Sequence, residues 1–147
     1  MKKYNVGIIG ATGMVGQRFS LLLAKHPWFN VTALAASSSS AGKTLGEAVN
    51  GRWAMTEEIP ANLKEMVIYD AENDIDEIVS KVDFVFCAVN MKKDEIKALE
   101  EKYAKYECPV VSNNSATKFF GKLKFLADFS LFAGTCQALP NIGIFLF

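Results

Sequence analysis

Asn5-Val6-Gly7-Ile8-Ile9-Gly10-Ala11-Thr12-Gly13-Met14-Val15-Gly16 decides the fold of this chain. Val6, Ile8 and Ile9 suit a buried strand, and Val15, Phe19, Leu22 and Leu23 then recur at helical spacing. The glycines, spaced G-x-x-G-x-x-G, therefore fall where a strand turns into a helix. Gly10 permits the tight turn, Gly13 lets the backbone approach a pyrophosphate with no Cβ between, and Gly16 lets helix and strand pack closely. The amides of Gly13, Met14 and Val15 are expected to be free and to face phosphates, with the positive end of the helix dipole behind them. Three glycines alone are a weak signal. Flanked by this strand and this amphipathic helix they point to dinucleotide binding, against the simpler reading of glycines that serve only packing.

The first helix is predicted from Met14 to Lys25, stopping at His26-Pro27 because the residue before a proline is pushed out of the helical region. His26, the only histidine, reads as a favourable positive charge at that helix end. Val31 to Ala36 is a second apolar strand, and Ser37-Ser38-Ser39-Ser40-Ala41-Gly42-Lys43 follows it directly. A carboxylate at this position would bind the ribose 2′-hydroxyl of NAD and repel a 2′-phosphate. The chain offers hydroxyls and Lys43 instead, donors suited to a phosphate, so the expected cofactor is NADP (NADPH). A serine-rich linker is the competing reading.

No element is assigned over Leu45 to Leu63, and Met66 to Tyr69 reads as a third short strand. Asp74-Ile75-Asp76-Glu77 is expected to start a helix through a capping box of Asp74 and Glu77 rather than to bind a metal, since no histidine or further carboxylate stands at ligand spacing. Val82 to Val89 is a continuous apolar run of the kind a strand covered on both faces requires. Asn90 is expected to cap the next helix, with Ile96, Leu99, Tyr103 and Tyr106 inward and the lysines and glutamates solvated. Val110-Val111-Ser112 opens a fifth strand. Alternating strands and helices make the predicted class α/β, a Rossmann-like, doubly wound, mostly parallel sheet with helices on both faces.

Composition narrows the functional classes. Half of the 147 residues are apolar, enough for one domain with a real core, and 16 basic residues balance 16 acidic ones. No general attraction to nucleic acid or to an anionic membrane follows from such a balance. Cys87, Cys108 and Cys136 are widely spaced, which suits a reducing compartment better than a disulfide framework or a zinc site. With no signal-peptide core after Met1, a cytoplasmic location is expected.

Together these residues resemble the amino-terminal cofactor domain of the aspartate-semialdehyde dehydrogenase family, its archaeal and fungal-like branch in particular. The resemblance rests on Gly10 to Gln17, on Ala35-Ala36-Ser37 to Lys43, and on Val110-Val111-Ser112-Asn113-Asn114-Ser115-Ala116. It implies an NADP-dependent reaction between aspartyl 4-phosphate and aspartate 4-semialdehyde, on the route to lysine, methionine and threonine, in a homo-oligomeric enzyme. In such enzymes a cysteine thiolate forms an acyl intermediate and a histidine acts as acid and base. Carried onto this chain, the resemblance implies that Gly10, Thr12, Gly13, Met14, Val15 and Gly16 form the pyrophosphate turn. Ser37, Ser39, Ser40 and Lys43 would surround the 2′-phosphate, and Cys87, Ala88 and Asn113 would lie near the nicotinamide.

The chain departs from the family pattern at two points. Ser39 stands where members often carry arginine, and Thr117-Lys118 stands where the pattern continues His-Arg. Lys118 keeps the charge expected to meet the substrate phosphate but loses the two-pronged fit of a guanidinium. Residues 1–116 are thus expected to be the dinucleotide-binding domain, with 117–147 a non-matching tail holding 7 of the 11 phenylalanines and no charge from Phe129 to Phe147. A reading-frame shift or premature end is expected to account for the change, which leaves no catalytic residue and no substrate or dimerisation domain. Gly134, Gln137, Pro140, Asn141 and Gly143 argue against a membrane helix in the tail. A non-catalytic dinucleotide-binding module, or a relative acting on malonyl-CoA or an acetylated glutamyl phosphate, stands as the alternative. A short-chain-type reductase would need Tyr-x-x-x-Lys, and no tyrosine has a lysine four residues on.

Overall fold

The run that opens the chain becomes the middle of a sheet. In the computed structural model, which describes residues 3–112 and 119–120, β1 (Tyr4–Ile9) has β2 (Phe29–Ala36) on one side and β4 (Phe84–Cys87) on the other. With β3 (Ile68–Asp70), β5 (Val110–Ser112) and β6 (Phe119–Phe120), the order is β3-β2-β1-β4-β5-β6. The first five strands are parallel, and β6 runs antiparallel to β5. Parallel strands need covered faces, and the sequence supplies them: the last four residues of β1 and all of β4 are buried.

Two hydrophobic layers cover the sheet. Under α1 (Met14–Ala24), α2 (Leu45–Ala48) and α3 (Ala61–Lys64) lie Leu23, Phe29, Leu34, Leu45, Leu63, Phe84 and Phe86. Phe29 meets Phe84 and Phe86 edge-on at 5.6 and 5.9 Å between centroids, contacts worth about 0.5–1.5 kcal/mol each beyond area burial. On the opposite face α4 (Ile75–Lys81) and α5 (Lys93–Lys105) bury Ile75, Ile78, Leu99 and Tyr103 against Ile9, Val85 and Val110. The doubly wound α/β class expected from the sequence is the one observed.

Several local expectations are corrected. The stretch 45–63 holds α2 and all of α3 but its last residue, helices too short for a periodicity to show. Thr44 starts α2 with a capping box, its Oγ1 accepting the Glu47 amide while Glu47 accepts the Thr44 amide. Asp74 does not cap α4 through its side chain, because its Oδ2 accepts the Asp70 amide at 2.8 Å. Nor does Asn90 start α5: the helix begins after Lys92, whose N–H donates to Glu95 at 3.2 Å. Tyr106 lies beyond α5 and is exposed, whereas Glu100, assigned to the solvated face, is 1% exposed.

His26 is also corrected. It is buried, its Nδ1 accepts the Trp28 amide at 3.2 Å, and its ring stacks on Phe29 with centroids 4.5 Å apart. Burial lowers its pKa below the ordinary 6.5, so the ring is held neutral and is no end charge for α1. The unfolded chain takes up a proton near that value while the folded chain resists it. This contribution to stability is therefore complete above about pH 6.5 and lost as the pH falls through and below it. Thermal melts are expected to show a midpoint that falls from about pH 7 to about pH 5, with His26→Phe flattening the slope. A wild-type midpoint that rises on acidification over that range would contradict the buried neutral ring.

Candidate functional site

The glycine turn lies at the point where strand order reverses. From the end of β1 the chain meets β2 on one side and β4 on the other, and the N–H groups of Gly10 and Ala11 both donate to Ala35 O at 2.8 and 3.0 Å. Gly10 has a φ of +86°, and a Cβ there would come within 2.8 Å of the Ala88 carbonyl carbon and oxygen. It turns the chain in the left-handed region while passing against the end of β4. Gly16 answers a different need: a Cβ there would lie 2.0 Å from Gly10 O, so α1 reaches the turn only without a side chain.

Gly13 is unlike either. Its φ of −76° is ordinary, and an added Cβ would meet only Gly10 O at 3.6 Å, normal van der Waals contact. Nothing in the protein requires a glycine at this position, and the residue opens onto a cleft. One expectation is corrected here: the Gly13 N–H is not free, since it donates to Gly10 O at 3.2 Å and closes the turn. Met14 and Val15 open α1, and their first-turn amides have no carbonyl one turn earlier in the helix to accept them.

Gln17 holds this turn from below. Its side chain is 2% exposed, donates to Thr12 O at 3.0 Å and to Arg52 O at 3.1 Å, and accepts the Ala54 amide at 2.8 Å. A buried amide whose oxygen and nitrogen are both engaged locks its neighbours in one register. It joins the glycine turn to the 52–54 segment.

The cleft has a volume of about 640 Å³, within the range of small-molecule sites. Gly10, Thr12, Gly13, Met14 and Val15 form its floor, Ser37 and Ser38 one end, and Ala88, Val89, Asn90 and Met91 the other. Asp70, Ala71, Glu72, Asn73 and Leu99 complete the wall. Of the residues expected from the sequence, the structure brings together Gly10, Thr12, Gly13, Met14, Val15, Ser37 and Ala88. Gly16 is buried beneath the floor.

The other expected residues do not line the cleft. Ser39 is exposed, with its Oγ 2.9 Å from Ser37 Oγ. Ser40 is buried, its N–H closing a turn onto Ser37 O at 2.9 Å. Lys43 Nζ donates to Ser39 O at 3.0 Å, on the outside of the same turn. Cys87 lies under the cleft at the end of β4, 1% exposed. Burial pushes its thiol up to about 12, and does the same to Cys108, so neither is a thiolate at neutral pH. Glu100 neighbours both Cys87 and Ser112, and burial raises its carboxyl above the ordinary range. Asn113, Lys118, Cys136 and the tail from 121 onward lie outside the described residues.

Sequence reasoning missed the 70–73 wall, Met91 and Leu99. The signal available was Asp70 at the end of a parallel strand, where ligands of open α/β sheets gather. Burial opposes ionisation of Asp70, but its Oδ1 accepts the amides of Glu72 and Asn73 at 2.9 and 3.1 Å. Its Oδ2 accepts the Asn73 side-chain amide at 3.0 Å. These bonds prevail and hold the carboxyl below its usual value. Asp70 is thus the ionised centre of a turn that shapes the wall. Among the described residues no group of three histidine, cysteine, aspartate or glutamate side chains could hold a metal, and no helix is long and apolar enough to cross a membrane.

A glycine turn at the switch point of a parallel sheet, open to a cleft along the carboxyl ends of the strands, defines a dinucleotide-binding domain of the Rossmann class. Residues 5–125 match the family described as semialdehyde dehydrogenase, NAD binding domain, and the chain belongs to that family. It is 43% identical over 116 residues to an aspartate-semialdehyde dehydrogenase of Archaeoglobus fulgidus, covering 78% of this chain and 31% of the relative. With the Saccharomyces cerevisiae enzyme of the same name it shares 38% over 107 residues, 73% of this chain and 27% of that one. The crystal structure of the Candida albicans aspartate-semialdehyde dehydrogenase with NADP superposes with a TM-score of 0.69 at 36% identity, covering 78% of this chain and 30% of that one. The chain thus spans about three-tenths of the length of the curated relatives it matches.

Proposed function

We propose that this chain is the cofactor-binding portion of an NADP-dependent aspartate-semialdehyde dehydrogenase, an enzyme that reduces aspartyl 4-phosphate to aspartate 4-semialdehyde with release of phosphate. The observation that carries this reading is Gly13: the protein does not need a glycine there, whereas a pyrophosphate approaching the backbone does. In this reading Thr12, Gly13, Met14 and Val15 hold the pyrophosphate, with the helix dipole of α1 behind it. Ser37, which lines the cleft beside Ser38, is assigned to the 2′-phosphate, with Ser39, Ser40 and Lys43 in the same loop. Ala88, with Cys87 beneath it, meets the nicotinamide half, to which Asn113 is also assigned. When bound, the nicotinamide supplies the hydride; the chain's own residues bind it, orient it and keep water from one face.

Thiolate and acid–base chemistry is assigned to the part of the relatives that this chain does not span, and Lys118 to the substrate phosphate. Residues 1–116 are the cofactor domain in this reading, although the family match itself runs on to residue 125. The setting in this reading is a cytoplasmic, homo-oligomeric enzyme of lysine, methionine and threonine biosynthesis.

Titration of the purified chain with NADPH and with NADH, followed by nucleotide fluorescence, tests the proposal. NADPH is expected to bind more tightly, and Ser37→Ala to weaken it about tenfold to a hundredfold while leaving NADH unchanged, as loss of one hydrogen bond to a charged group implies. Equal binding of the two nucleotides would refute the NADP preference. No binding by a folded chain would refute the cofactor role itself.

A further inference from the structure

Ala71 occupies a junction that the cofactor reading alone does not explain. Its N–H donates to Ala36 O at 2.9 Å, at the end of β2 and directly before Ser37. Its carbonyl accepts the Tyr103 hydroxyl at 2.8 Å, a buried bond between residues 32 positions apart. Tyr103 is 1% exposed on α5, where Leu99, one turn earlier, itself lines the cleft. Lys102, next to Tyr103, pairs with Glu72 at 3.6 Å.

The 70–73 turn is otherwise closed largely on itself. Asp70 and Asp74 exchange bonds, the Asp70 N–H donating to Asp74 Oδ2 and the Asp74 N–H to Asp70 O. The β2–β3 ladder and the bonds from Gly42 N–H to Ile68 O and from Ile68 N–H to Lys43 O tie β3 to the serine loop, and the Ala71 backbone extends that tie into the turn, held by β2 through its N–H and by α5 through its carbonyl. Burial raises the pKa of the Tyr103 phenol, so it remains a donor throughout the neutral range.

We infer that Tyr103 is a positioning residue for the adenosine half of the dinucleotide, setting the distance between the 70–73 wall and Ser37 without touching the ligand. The inference rests on the cofactor reading above. The adenosine side follows from the fold, because the ribose of that half is read at the end of the second strand, beside β3. A residue on α5, which follows β4, thereby governs binding at the opposite end of the cleft.

Tyr103→Phe keeps the ring in the core and removes only the hydroxyl. The chain and this variant would be titrated with NADPH, with adenosine 2′,5′-bisphosphate and with reduced nicotinamide mononucleotide. The variant is expected to bind the first two about three- to tenfold more weakly, the effect of one lost neutral hydrogen bond, and the mononucleotide within about twofold of wild type. Equal weakening for all three ligands, or none for any, would overturn the inference, since a general loss of stability does not distinguish the halves. Hydrogen exchange on the unmodified chain gives a second test that does not depend on the variant folding. Adenosine 2′,5′-bisphosphate is expected to slow exchange at Ala71 to Asn73, and reduced nicotinamide mononucleotide is not; exchange there indifferent to both would overturn the assignment. A wild-type chain that binds neither NADPH nor the bisphosphate would defeat the cofactor reading itself.

Discussion

Gly16→Ala is expected to abolish stable folding. The new methyl would sit 2.0 Å from Gly10 O and 2.8 Å from Ala11 Cα, and both are backbone atoms that cannot swing aside. Relief requires α1 to retreat from the turn, which opens the packing of Leu23 and Phe19 against the sheet. Overpacking by a methyl commonly costs about 1–3 kcal/mol where side chains can yield, and this site belongs at or above the top of that range. A loss of that size is a large fraction of the total stability of a domain this small. Circular dichroism and thermal melting check it, and a variant that melts within a few degrees of wild type would show that α1 docks less closely than the structure has it.

Gly13→Ala is expected to do the reverse. Its Cβ meets one oxygen at 3.6 Å and its backbone angles are ordinary, so the fold should survive with a change of under about 1 kcal/mol. The methyl, however, projects into the floor of the cleft where phosphate oxygens must reach the first-turn amides. Hydrogen bonds to charged groups contribute about 1.5–3 kcal/mol each, so losing one predicts NADPH binding weakened about tenfold to a hundredfold. Two glycines three positions apart should therefore separate stability from binding. Unchanged NADPH affinity in a folded Gly13→Ala chain would remove the main support for a pyrophosphate at this turn.

The sheet was legible because its signals are local. Each parallel strand is a short apolar run bounded by glycine, proline or polar residues, and the stretch from Asn5 to Gly16 carries strand, turn and helix in succession. The glycine floor, Ser37 and Ala88 followed from those runs, because strand ends are where such a fold collects its ligand. The rest depends on partners distant in sequence. Asp74 has the spacing of a cap, but the Asp70 amide is within its reach and takes the carboxylate oxygen. Glu100 looks like one more charge on a lysine- and glutamate-rich helix, and only the meeting of α5 with the ends of β4 and β5 buries it. Ser40 is indistinguishable from its neighbours until the turn onto Ser37 O closes and turns it inward. The 70–73 wall is shaped by a carboxylate binding its own loop, a pattern with no apolar periodicity to announce it.

The central place of β1 has a consequence for the order in which the molecule can assemble. This strand is made before either of its neighbours, yet Val6 pairs with Val31 on one side and with Phe84 on the other, and Asp83 Oδ2 accepts the Asn5 amide across 78 positions. The β1–β2 unit with α1 can form early, since its contacts close a short loop. Its other edge stays unpaired until β4 has been synthesised and brought back across α2, α3, β3 and α4. Parallel pairings at such separation are slow to form, because loop closure precedes any gain from contact. Throughout that interval the nascent chain presents the open edge of β1, Val6 to Ile9, and a sheet edge of that kind invites pairing with another chain. Chaperone dependence during synthesis would follow from this topology, whatever the final stability of the folded domain.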